Sequence, residues 1–116
     1  MLFDGALRFM SAAAQGFEQS DFLQRNLTIH NNLVKAQAII TELQGSLDME
    51  RGGDFAQTMN RLYDYMHAQL QNANLKKDPQ PISVAEEIMS EIRDAWAAML
   101  EQAVPITPEG RLTVAC

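Results

Sequence analysis

The sequence predicts an all-α protein, an antiparallel up-down-up-down four-helix bundle, from three observations. Four segments repeat apolar residues at alternating spacings of three and four, which places an apolar stripe along one side of a helix. Short links that contain glycine or proline separate these segments, and helices joined in this way run antiparallel in contact. No segment of useful length alternates as a strand does. We predict a bundle domain over residues 1–104 and an extended tail over residues 105–116.

The first two predicted helices differ in length. The first spans about residues 2–18, and its Gly5 indicates that a neighbouring backbone approaches closely there. The second spans about residues 22–47, with Ser20 or Asp21 as its N-cap. Their apolar stripes consist of Leu2, Phe3, Ala6, Phe9, Met10, Ala13 and Phe17 in the first helix, and of Phe22, Ile29, Leu33, Ala36, Ile40, Leu43 and Leu47 in the second.

The third predicted helix spans about residues 53–74, and the fourth spans about residues 82–103 after two prolines that suit a helix entrance. Tyr63 and Tyr65 lie roughly 80° from the centre of the third stripe at 100° per residue, and are predicted to flank the core on opposite sides. The two stripes consist of Phe55, Met59, Leu62, Met66 and Ala73, and of Ile82, Ala85, Ile88, Met89, Ile92, Trp96, Met99, Leu100 and Ala103.

Composition excludes several classes of protein. A net charge of −6 argues against a nucleic-acid binder, because phosphate contacts need clustered Lys and Arg. No apolar run approaches the roughly 20 residues of a membrane span, and neither end has the pattern of a signal peptide. The single Cys116 excludes an internal disulfide framework, so we expect a cytosolic chain.

Catalytic and metal chemistry finds little support in the residues. A calcium loop that began at Asp48 would have Glu50 at its third position but Gly52 and Met59, which supply no side-chain oxygen, at its fifth and twelfth. The two histidines lack the carboxylate partners of a di-iron bundle. Cys116 has no nearby base. We therefore predict no enzyme, no metal and no cofactor. One alternative is a phosphorelay bundle with a phosphorylated His30, although the following residues depart from the usual His-x-Leu-Lys-Gly pattern.

Apolar surface is the feature that the bundle alone leaves unexplained. The second to fourth helices carry apolar shoulders beside their stripes, whereas a four-helix core needs one stripe per helix. Such a surplus is typical of a groove that binds another apolar chain, often an amphipathic helix. A structural helical module that self-associates is the competing class.

Four groups of residues resemble, in order and with similar spacing, the motifs of the flagellar secretion chaperone FliS family, which is specific for flagellin. The resemblance covers about residues 2–96. It rests on Leu2-Phe3-Asp4-Gly5-Ala6-Leu7-Arg8-Phe9, on Lys35-Ala36-Gln37-Ala38-Ile39-Ile40 with Ser46-Leu47-Asp48, on Gly52-Gly53 with Leu62-Tyr63-Asp64-Tyr65-Met66, Ala73-Asn74 and Asp78, and on Ile92-Arg93-Asp94-Ala95-Trp96.

The resemblance implies a cytoplasmic, non-enzymatic export chaperone. It would hold the disordered C-terminal segment of flagellin in apolar grooves and so prevent premature polymerisation, with the flagellar export apparatus as a further candidate partner. We expect the grooves to be lined by six residues, for each of which packing in the core is the alternative, least so for Tyr65. They are Leu43, Tyr63, Tyr65, Met66, Leu70 and Trp96.

Members of this family usually carry further residues before the first motif, whereas Met1 directly precedes Leu2 here. At 1.5 Å per residue the first helix spans about 26 Å and the second about 39 Å, which would leave about 13 Å without cover. We predict that the tail, over residues 106–114, or a second copy of the chain in a homodimer covers this end. The residues concerned are Leu43, Leu47, Phe55, Met59 and Leu100.

Overall fold

The computed structural model describes residues 2–103, with side chains to residue 98, and contains four helices. They are α1 (Leu2–Gly16), α2 (Phe22–Gly45), α3 (Gly53–Lys76) and α4 (Gln80–Ala103). Each helix packs against the next, and α1 also packs against α4, which closes the ring of a bundle. The predicted all-α bundle is confirmed. The predicted tail and the side chain of Leu100 lie outside the described residues.

The core follows a heptad-like repeat. Buried residues on α2 and α3 are separated by three and four positions, the spacing that lets the side chains of one helix fill the gaps of its neighbours. Among the described side chains no charged residue is buried, and the core is apolar apart from the phenol hydroxyl of Tyr63. The buried residues are Ile29, Leu33, Ala36, Ile40 and Leu43 on α2, and Ala56, Met59, Tyr63, Met66, Leu70 and Ala73 on α3.

The rotation of α3 differs from the prediction. Tyr63 lies in the core at 2% exposure, and Phe55, a member of the predicted apolar stripe, is 49% exposed. The placement of the two tyrosines on opposite shoulders is wrong, since Tyr65 lies on the outer face at 48% exposure. α3 carries two overlapping apolar stripes. One contains Tyr63 and Leu70 and is buried, and the other contains Phe55 and Leu62 and lies beside it. Residues 63 and 65 lie about 200° apart around a helix, so burying one turns the other outward.

The position of α1 along α2 also differs from the prediction. A Cβ atom on Gly5 would lie 3.2 Å from Ile39 Cδ1, and one on Gly16 would lie 3.0 Å from Thr28 Cγ2. α1 therefore pairs with the middle of α2, and the extra length of α2 is divided between both ends. The predicted gap of about 13 Å at one end is wrong, because the link after α1 folds back along α2, where Gln19 Nε2 donates to Thr28 Oγ1 at 3.1 Å.

The helix boundaries have local causes. Asp21 caps α2, as predicted, by accepting a hydrogen bond from the backbone N–H of Gln24 at 2.8 Å. α4 begins at Gln80, two residues earlier than predicted, because Pro81 is tolerated in a first turn where no N–H is required. The described helices include none with the length and apolarity that a membrane crossing requires.

Candidate functional site

An open apolar furrow lies between α3 and α4, towards the start of α3. Burial of Tyr63 turns Phe55 and Leu62 to the α4 side of α3, where they face Ile88 and Trp96. The furrow encloses a cavity of about 270 Å³, and among the described residues that line it Glu91 is the one with a charge. The described residues that line it are Phe55, Met59, Leu62, Ile88, Glu91, Ile92, Ala95 and Trp96. We call this surface the α3/α4 furrow.

A second cavity of about 250 Å³ adjoins the furrow at the loop between α2 and α3. We call it the loop cavity, and it is lined by Phe3, Leu43, Ser46, Leu47, Asp48, Gly52, Phe55, Ala56, Tyr63 and Trp96. Its loop wall needs a glycine, because a Cβ atom on Gly52 would lie 2.5 Å from Ala56 Cβ and 2.7 Å from the Asp48 carbonyl oxygen. The tight loop brings the beginning of α3 close to the end of α2.

Phe55 and Trp96 form the wall between these two cavities, and both side chains line both of them. Their ring centroids lie 6.0 Å apart with an interplanar angle of 74°, an edge-to-face contact. Phe55 keeps half of its surface exposed although the core lies beside it. An apolar side chain of another molecule could therefore bury this ring from either cavity.

The opposite flank of α3 is polar. Gln44 Nε2 donates to Asn60 Oδ1 at 3.0 Å and to Asp64 Oδ1 at 2.8 Å, and Gln44 Oε1 lies 3.0 Å from His67 Nε2. His67 Nε2 also lies 3.3 Å from Thr41 Oγ1. Burial lowers the pKa of His67, and the Asp64 carboxylate partly opposes that shift. We call these side chains the polar ladder between α2 and α3.

The six residues predicted from the sequence to line grooves have different surroundings. Trp96 lines both cavities, and Leu43 and Tyr63 form inner walls of the loop cavity while being almost completely buried. Met66 and Leu70 are fully buried in the core, and in this arrangement they offer no surface to another molecule. Tyr65 lies on the outer face of α3, outside the lining of either cavity. A binding role for any of the six stays a prediction.

Sequence reasoning missed Phe55, Leu62, Ile88 and Ile92 as groove residues, because it assigned all four to the core stripes. The available signal was the presence of two apolar stripes on α3, whose members are offset by one position at residues 55 and 56 and at residues 62 and 63. Only one of two such stripes can face the bundle axis, so the other must lie at a helix–helix boundary.

The described side chains supply no arrangement for catalysis at these cavities. Within the described residues, no group of three His, Cys, Asp or Glu side chains lies close enough to hold a metal ion. His30, the residue of the phosphorelay alternative, is exposed on α2 and accepts a hydrogen bond from Asn74 Nδ2 at 2.9 Å. What the furrow and the loop cavity can do chemically is remove apolar side chains from water.

Comparison with known proteins gives a consistent result. Residues 1–103 match the family described as "Flagellar protein FliS". The flagellar secretion chaperone FliS of Bacillus subtilis is 37% identical over 101 residues, which is 87% of this chain and 71% of that protein. The flagellar secretion chaperone FliS of Salmonella typhimurium is 40% identical over 97 residues, 83% of this chain and 69% of that protein. The protein of the same name from Vibrio cholerae is 36% identical over 96 residues, 83% of this chain and 68% of that protein.

Proposed function

Because the chain belongs to the FliS family of flagellar secretion chaperones, we propose that it binds flagellin for export and holds the disordered C-terminal segment of flagellin in the α3/α4 furrow and the loop cavity. The chaperone acts in the cytoplasm and is not an enzyme. While the chaperone binds this segment, the segment cannot take part in polymerisation, so flagellin stays unpolymerised until it is exported. Membership of a secretion chaperone family displaces the phosphorelay alternative at His30.

The observation that carries the proposed site is the half-exposed Phe55 ring between two apolar cavities. A client helix that lays its apolar face along α3 and α4 would place side chains on both sides of this ring. Each further 100 Å² of apolar surface removed from water would contribute about 2.5 kcal/mol before the cost of ordering the client. A few client side chains buried in the two cavities can therefore offset the free-energy cost of ordering the client segment.

The same balance suits a chaperone that must release its client. A disordered segment loses conformational entropy when it becomes helical on a surface, which lowers the affinity obtained for a given buried area. Apolar contacts hold the segment without fixing it through many directional bonds. Seven of the eight described residues that line the furrow are apolar, with Glu91 as the exception, and this composition supports binding through apolar contact.

Calorimetric titration with a synthetic C-terminal segment of flagellin tests the proposal, and tryptophan fluorescence localises the binding. Trp96 is the single tryptophan of the chain, so its emission reports the furrow directly. We expect saturable binding with a negative heat-capacity change and a blue shift of the Trp96 emission, because the segment excludes water from the ring. A scrambled peptide of the same composition serves as the control.

Light scattering distinguishes the proposal from a structural module that self-associates. In such a module a second copy of the chain would cover the loop cavity and form a homodimer. We expect a change in mass only when the flagellin segment is added. A chain that dimerises alone, and whose Trp96 emission does not respond to the segment, would reject the proposal. The export apparatus stays a candidate partner for the complex formed.

Tyr65 offers a further test of the site's extent. If the client continues from the furrow across the outer face of α3, Tyr65→Ala should weaken binding several-fold and leave the thermal midpoint nearly unchanged, since the ring is half exposed. Calorimetry measures the first quantity and circular dichroism measures the second. Normal binding together with a large loss of stability would instead make Tyr65 a packing residue.

A further inference from the structure

A third cavity lies at the opposite end of the bundle, where the α1–α2 link meets the turn between α3 and α4. It encloses about 340 Å³ and is lined by Phe17, Phe22, Arg25, Asn26 and Lys77. We call it the basic cavity. Lys77, the C-cap of α3, lies 15 residues beyond Leu62, the last furrow residue on that helix, which separates the basic cavity from the furrow by about 22 Å at 1.5 Å per residue.

Both charged residues that line the basic cavity are cations, although the chain carries a net charge of −6. Neither Arg25 nor Lys77 forms an ion pair with any described residue. The capping carboxylates of Asp21 and Asp78 accept hydrogen bonds from Gln24 N at 2.8 Å and Gln80 N at 3.0 Å, and neither lines the cavity, while Lys77 Nζ donates to the neutral amide oxygen of Asn74. The cavity therefore presents positive charge with no opposing carboxylate in its lining.

The apolar part of the cavity is held beside this charge. The Arg25 guanidinium lies 5.4 Å from the centroid of the Phe22 ring, and Arg25 Nη1 donates to the Gln19 carbonyl oxygen at 3.4 Å. This placement leaves the remaining guanidinium donors without a partner among the described residues, in a planar fork that suits a carboxylate. Phe22 itself is 68% exposed.

We propose that the basic cavity is a docking site for an acidic segment of a partner protein that carries a Leu or Phe side chain next to its carboxylates. The apolar side chain packs against Phe17 and Phe22, and a carboxylate binds between Arg25 and Lys77. The rest of this acidic surface repels such a segment, so the charge complementarity also provides specificity. The separation from the furrow lets the partner bind while flagellin is held.

The test uses the full chain and a short fluorescein-labelled peptide composed of Glu, Asp, Leu and Phe. Its control peptide has Gln and Asn in place of the acids. Fluorescence anisotropy should show that the acidic peptide binds at least about tenfold more tightly than the neutral one, and that added salt weakens its binding. The Trp96 emission should not change, because the furrow is remote.

A matched pair of double variants locates the binding. Arg25→Gln with Lys77→Asn removes the two cations of the cavity, and Asn tolerates the left-handed backbone of residue 77, where φ is 51°. Arg8→Gln with Arg61→Gln removes two exposed cations elsewhere and changes the net charge equally. We expect about a tenfold loss of affinity for the first pair and less than about a twofold loss for the second.

Three outcomes would overturn the proposal. The first is an equal loss of affinity in both double variants, which would indicate non-specific attraction. The second is displacement of the flagellin segment by the acidic peptide, since the occupant would then share the client's site. The third is a concentration-dependent dimer that is lost only in the Arg25 and Lys77 variant, which would make a second copy the occupant. Phe22→Ala, at an exposed ring, provides a separate check and should weaken binding several-fold without changing the thermal midpoint.

Discussion

α3 contacts α2 on one flank through the polar ladder and faces α4 on the other flank across the apolar furrow. On the first flank Gln44 contacts Asn60, Asp64 and His67, whereas Phe55 and Leu62 line the second. Both flanks border the same buried stripe of α3. A helix pair in this bundle can therefore be closed with polar side chains, so an apolar boundary is not a requirement of the fold.

The two flanks also differ in what they leave exposed. On the ladder side each polar group has a partner, and such hydrogen bonds contribute about 1 kcal/mol each at the protein's surface. On the furrow side the Phe55 ring remains half exposed, and burying it would stabilise the structure further. We infer that the ladder contributes only to the stability of the fold. The furrow leaves apolar surface exposed, and a bound client can bury that surface and gain the corresponding free energy.

The largest effect is expected in the core between the flanks. Leu70→Ala should lower the free energy of unfolding by about 3 kcal/mol, because it leaves a cavity where the side chain is fully buried. Urea denaturation measures this loss. The affinity of the folded fraction for the flagellin segment should stay within about twofold. A specific loss of affinity at full stability would return Leu70 to the binding site predicted from the sequence.

The next effect separates the furrow from the rest of the surface. Phe55→Ala should weaken flagellin-segment binding about 30-fold, roughly 2 kcal/mol, as expected for a central aromatic anchor. Leu75→Ala, which removes a 76% exposed apolar side chain near the far end of α3, is the matched control and should have almost no effect. Calorimetry of both variants tests the comparison, and equal losses would show that the furrow is not the client's site.

A smaller effect is expected on the polar ladder. Gln44→Leu removes the hydrogen bonds to Asn60 and Asp64 and should destabilise the fold by about 1 kcal/mol, since the partners remain accessible to water. Denaturation measures the stability and calorimetry measures the binding, which we expect to be unchanged. A gain in flagellin affinity would mean that any apolar flank of α3 suffices, and the contrast between its two sides would lose its functional meaning.

The smallest effect is a pH dependence carried by the ladder. Burial holds the pKa of His67 below its ordinary value of 6.5, so the folded state binds this proton less readily than the unfolded chain. The contribution to stability is therefore present above about pH 6.5 and is lost as the pH falls through the folded pKa. Denaturation of wild-type and His67→Gln proteins between about pH 5.5 and 7.5 should show the steeper decline for the wild type. Identical slopes would remove His67 as the cause.

Most of the fold could be predicted because it depends on local pattern. Spacings of three and four identified the four helices, and the Asp21 cap was recognised from its residue type and position. Each helix differs from its predicted span by two residues at one end: α1 and α2 end earlier, α3 ends later, and α4 begins earlier because a proline is tolerated in its first turn. The candidate site was less predictable. Met66 and Leu70 are of the same residue types as Met59 and Leu62, which line the furrow, and only their surroundings in the folded protein differ.

Four amphipathic helices, their antiparallel order and a surplus of apolar surface follow from the spacing of neighbouring residues, so they can be read from the chain alone. Where that surplus lies depends on how the helices pack. A helix with two overlapping apolar stripes can bury either one, and the summed packing against its neighbours turned Tyr63 inward and Phe55 towards α4. The same packing set α1 against the middle of α2, since Gly5 and Gly16 fit closely only at that level. Such choices depend on contacts between distant segments, which a local pattern does not contain.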